Sequence, residues 1–122
     1  MPASRETFVH EAELRLAAGA DPAAPGGAVT TALCGHWEHE GPCRWPHNND
    51  IALAGATASG ARATFRTLFA APADDEGEIR TRIDEALANC GDWTLVETRS
   101  RDVAASERPL AERLAALPAA KD

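Results

Sequence analysis

The chain has 122 residues, a mass of 12.9 kDa and a formal charge of −7, from 12 Lys+Arg against 19 Asp+Glu. That size supports one hydrophobic core and leaves no room for two, so residues 1–122 are expected to form a single domain. The acidic balance, with no stripe of arginines, excludes the electrostatic footprint of a nucleic-acid binder and argues against an anionic membrane surface. No apolar run approaches the roughly 18 residues of a spanning helix, and the first residues lack the charged, apolar and small-residue regions of a secretory signal. A cytoplasmic location with reduced thiols is the expectation, and the hydrophobic fraction of 44% is enough for a core without disulfide or metal staples.

In chain order, Ser4 stands where a helix cap would, and Phe8, Val9, Ala12 and Leu16 recur at one-face spacing before Gly19, which suits a left-handed helix end. A first helix is predicted there, with His10 on its solvated face. The segment Asp21 to Gly27 reads as a linker. The β-branched group Val29, Thr30 and Thr31, followed by Leu33, predicts a strand over Ala28–Glu38. A second strand is read over Ala61–Ala70, where Ala63, Phe65, Thr67 and Phe69 alternate with Arg62, Thr64, Arg66 and Leu68.

Asp75 with Glu78 three residues on has the spacing of a reciprocal helix cap, and Ile79, Ile83, Ala86 and Leu87 continue it as an apolar stripe up to Gly91. A third strand, Trp93–Arg99, follows at once, and Pro109 opens a last helix with Leu110, Leu114 and Leu117 on one face. The expected fold is α+β: a two-layer sandwich of order α-β-β-α-β-α, with a small mixed three-strand sheet and the helices on one face. Its second and third strands would be parallel neighbours, and its exposed edges make a homodimer plausible.

The connection 39–60 is too long for a structureless loop without a function. Around its start the chain reads Cys34-Gly35-His36-Trp37-Glu38-His39-Glu40-Gly41-Pro42-Cys43-Arg44-Trp45-Pro46-His47. Five of the seven His and Cys residues of the whole chain fall in this stretch. Zinc takes imidazole nitrogen and thiolate sulfur in a tetrahedron, and the spacing H-x2-H-x3-C-x3-H, broken by Pro42 and Pro46, lets the chain turn around one ion. His36, His39, Cys43 and His47 are therefore the first ligand set for zinc, with Cys34 in reserve and Cys90 within reach only through folding.

Trp37 and Trp45 bracket the cluster and are read as packing residues. Asn48, Asn49 and Asp50 are read as turn residues that cap their own backbone. Four protein ligands would make a binding or interaction module with an unidentified protein or small-molecule partner. Three ligands and a water would make a hydrolase-like enzyme with Glu38 or Glu40 as general base, and a metal-free Cys43 nucleophile with His39 or His47 as base is a further alternative.

Overall fold

A computed structural model describes residues 5–34, 45–57, 60–88 and 92–116. Strand β1 (Glu6–Leu16) leads to helix α1 (Ala24–Cys34), strands β2 (His47–Thr57) and β3 (Gly60–Ala71), helix α2 (Glu76–Ala88), strand β4 (Trp93–Arg101) and helix α3 (Arg108–Ala116). The four strands form one antiparallel sheet in the order β2-β3-β1-β4. The fold is thus α+β as expected, with one strand more and the order β-α-β-β-α-β-α.

β1 and β2 run parallel with β3 between them, and β3 and β4 run parallel with β1 between them: two interleaved split βαβ units. The two strands joined by α2 are therefore parallel, as anticipated, but not neighbours.

The faces of the sheet follow from strand alternation. Ala12, Leu14, Leu16, Ala63, Phe65, Phe69 and Trp93 face α1 and α2, where Val29, Leu33, Ile79, Ile83 and Leu87 complete the main core. Val9, Leu68 and Ala70 face the other way and are covered by Ala111 and Leu114 of α3. The helices consequently lie on both faces of the sheet, not on one.

Two elements of the first third exchange type. The segment expected to be a helix is β1, an inner strand with cover on both faces, so its apolar residues do not show the alternation of a half-buried strand. Gly19 does adopt the left-handed conformation its position suggested, at φ +78°, but in the turn after a strand. The segment expected to be a strand is α1. Asp21 starts it by accepting the Ala23 amide at 2.9 Å, and Val29 and Leu33, four residues apart, bury on the same face. Packing of that pair outweighs the β preference of Val29, Thr30 and Thr31.

Where the sequence suggested a connection over 39–60, His47–Thr57 is β2; residues 39–44 lie outside the described residues. The return into β3 depends on Gly60, at φ +135°, where a Cβ would stand 2.2 Å from the Leu16 carbonyl oxygen. The expected cap of α2 is replaced as well: the Asp75 carboxylate accepts the Trp45 indole N–H at 3.2 Å, and Glu78 pairs with Arg82.

Candidate functional site

The described residue richest in chemistry is His47, the first of β2. Its Nδ1 lies 3.0 Å from the carbonyl oxygen of Trp45, so this nitrogen carries the proton and donates. Nε2 is then an acceptor, and the Thr30 hydroxyl of α1 donates to it at 3.1 Å. The Asn49 side-chain amide donates to Thr30 Oγ1 at 3.2 Å and to the Gly26 carbonyl at 3.1 Å, while Thr67 Oγ1 donates to Asn49 Oδ1 at 2.9 Å. Side chains of α1, β2 and β3 thus form one polar chain whose donors and acceptors are mutually satisfied.

Its position follows from register. His47 pairs with Phe69, Asn49 with Thr67 and Ile51 with Phe65, which turns all three β2 side chains toward α1. Trp45, just before β2, is fully buried in the main core, with the Arg82 guanidinium 5.0 Å from its ring centre. This agrees with its reading as a packing residue, and the buried indole fixes the carbonyl that orients His47.

Thr30, His47 and Asn49 of this chain form one wall of a cleft of about 470 Å³ between α1 and β2, with Thr67 buried behind them. Pro22, Gly26, Gly27 and Phe65 supply its apolar surface, and Asn48 and Asp50 border it with side chains that alternate to the other face of the sheet. Asp50 is the one acidic residue of the lining, which contains no Lys or Arg. The volume lies within the range of small-molecule sites, and the mixed lining is of the kind that fixes orientation by a few hydrogen bonds.

Of the sequence-predicted ligands, only His47 has a described side chain. His36, His39 and Cys43, with Glu38, Glu40 and Cys90, lie outside the described residues. Cys34 is the last residue of α1, so the strand alternation that would have placed it on one face with His36 does not apply. Among the described residues, no three His, Cys, Asp or Glu side chains are placed to hold a metal ion. No helix of the described residues is long and apolar enough to cross a membrane.

Thr30 and Asn49 are not legible as site residues in the sequence, because the local pattern suggests a strand for one and a turn for the other. His10 was also misplaced: it is buried in β1, receives Arg80 Nη1 on Nδ1 at 3.1 Å, and donates through Nε2 to Asp84 at 2.7 Å. Arg80 also donates to the Val9 carbonyl and to Glu76, so this group is a satisfied clamp between β1 and α2.

No protein-family model, curated protein or solved structure matches this chain.

Proposed function

We propose that this protein is a small binding module whose ligand seat is the α1–β2 cleft. The observation that carries the reading is the polar chain Thr67–Asn49–Thr30–His47, anchored on the buried Thr67 and the Trp45 carbonyl, whose Asn49, Thr30 and His47 line one wall of a preformed cavity. Holding these groups in place before a ligand arrives lowers the ordering cost of binding. With no Lys or Arg in the lining, the seat favours a neutral or cationic polar molecule over an anion.

Amide NMR spectra recorded with acetamide, guanidinium and phosphate as separate probes test this. Saturable shifts at Gly26, Gly27, Thr30 and Asn49 are expected with acetamide or guanidinium, and none with phosphate. Thr30→Val should weaken that binding about fivefold, the worth of one hydrogen bond of roughly 1 kcal/mol. Saturable binding of phosphate in preference to the others would overturn the reading, as would the absence of any localised shift.

A second reading, a transition-metal site with zinc as first choice, is favoured by the orientation of His47. An imidazole whose Nδ1–H is held by a carbonyl directs Nε2 as metal-ligating histidines do, and an ion there would have to displace the Thr30 hydroxyl that Nε2 now accepts. His36, His39 and Cys43 would supply the remaining ligands, with Cys34 in reserve. Elemental analysis of protein purified without added metal should then give about one zinc per chain, and Cys43→Ser should reduce that occupancy while helices and sheet persist. Metal-free protein with unchanged stability after Cys43→Ser would remove this reading and leave the cleft in place.

A further inference from the structure

The two edges of the sheet are protected very differently. β4 is interrupted by a bulge opposite Glu13 and Leu14 and carries Glu97, Arg99 and Arg101, the devices that keep an edge from pairing with another chain. β2 holds an unbroken register with β3 from His47 to Ala54, and within that stretch Asp50 is the only carboxylate and there is no Lys, Arg or Pro. Its Leu53 side chain is 49% exposed. Among the described residues no strand lies outside β2.

From this contrast we infer that β2 is a self-association edge, at which two copies of the chain pair antiparallel and join their sheets into one of eight strands. In an antiparallel ladder, opposed residues both turn their amide groups toward the partner or both turn them away, so a strand paired with its own copy is centred on a residue. Centring on Asp50 opposes two carboxylates, which is unfavourable. Centring on Ile51 sets Leu53 against Asn49 of the partner subunit.

Centring on Ala52 sets Leu53 against Ile51 of the partner subunit twice, once on each side of the axis, and covers the exposed leucine. It also sets Ala54 against Asp50 of the partner subunit. Because Ala54 pairs with Arg62 in β3, this register puts Asp50 of the partner subunit in one row with Arg62, which is 66% exposed and hydrogen-bonds Glu13 of its own chain at 2.8 Å, with only a methyl group between them. Centring on Leu53 would oppose the two leucines but set Ile51 against Gly55 of the partner subunit, where the regular register of β2 has already broken, so the Ala52-centred pairing with a second copy is the one that shape and charge favour.

Light scattering behind a sizing column, across protein concentrations up to about 200 µM, gives the mass, and a dimer is expected at the upper end. Leu53→Lys replaces both apolar pairs and should raise the dimer dissociation constant about tenfold, with an unchanged melting profile at dilutions where both proteins are monomeric. Ala52→Cys places two thiols opposite each other on the axis and should give a covalent dimer under mild oxidation; Asp50→Cys and the unsubstituted protein should not. A monomer mass throughout would overturn the inference. So would a dimer that ignores Leu53→Lys and is not trapped by Ala52→Cys, since it would use another surface.

Discussion

Truncating Ile83 to Ala should lower the unfolding free energy by about 2 to 4 kcal/mol, the usual loss when a buried aliphatic side chain leaves a cavity. Ile83 is fully buried on α2, within the cluster formed by Phe65, Phe69, Ile79 and Leu87. A close-packed neighbourhood of this kind, held by two helices and a sheet, relaxes only partly around a void. In denaturant the midpoint should fall with the slope unchanged, because the surface exposed on unfolding is nearly the same. A domain of this length has a total stability on the order of 10 kcal/mol, so the melting temperature should drop by roughly 10 °C. Leu53→Ala on the exposed edge supplies the contrast, with an expected change below about 0.5 kcal/mol in the monomer. A loss that small at Ile83 would place α2 elsewhere on the sheet.

The second half of the chain was legible because its patterns were unopposed. In β3, Ala63, Phe65, Thr67 and Phe69 all face the helices, and in α2 the stripe Ile79, Ile83 and Leu87 is the buried face. The first half misled for physical reasons. β1 is buried on both sides, with His10 and Glu11 inside it as polar groups satisfied by partners far along the chain. A short-range reading takes such residues as solvent-facing and finds a helix. After His47, β2 continues with Asn48, Asn49 and Asp50, whose short side chains signal a turn when nothing else is available to bond them. Asn49 instead finds Gly26, Thr30 and Thr67, none of them within a dozen residues. The site was half visible on the same account: His47 announces itself by residue type, whereas Thr30 and Asn49 acquire a role only once α1 and β2 are placed side by side.

Glu11 should make folding stability fall steeply in acid. It is 7% exposed on the face of the sheet that α3 leaves partly open. Burial alone would raise its carboxyl, but hydrogen bonds from Arg99 at 2.6 Å, Arg101 at 3.0 Å and Arg66 at 2.8 Å outweigh burial and hold its pKa at about 2 against an ordinary 4.5. A carboxylate whose folded pKa is depressed contributes stability that is complete above the unfolded value and is lost as pH falls through the folded one. The window is therefore about 4.5 down to about 2, and the contribution is about 3 kcal/mol. Glu107, held below its usual range chiefly by the paired hydrogen bonds of Arg66, adds to the loss with the same sign.

Glu11→Gln should cost about 2 to 4 kcal/mol at neutral pH, because three guanidinium groups remain gathered around a neutral amide. The same substitution should flatten the acid limb of the stability curve, since no proton is then taken up at this position on unfolding. Glu107→Gln should flatten it less, as Arg66 keeps Glu11. Denaturant titrations at constant ionic strength from pH 7 to pH 2 separate the two effects. An acid limb in Glu11→Gln as steep as in the unsubstituted protein would show that other carboxylates carry the acid sensitivity.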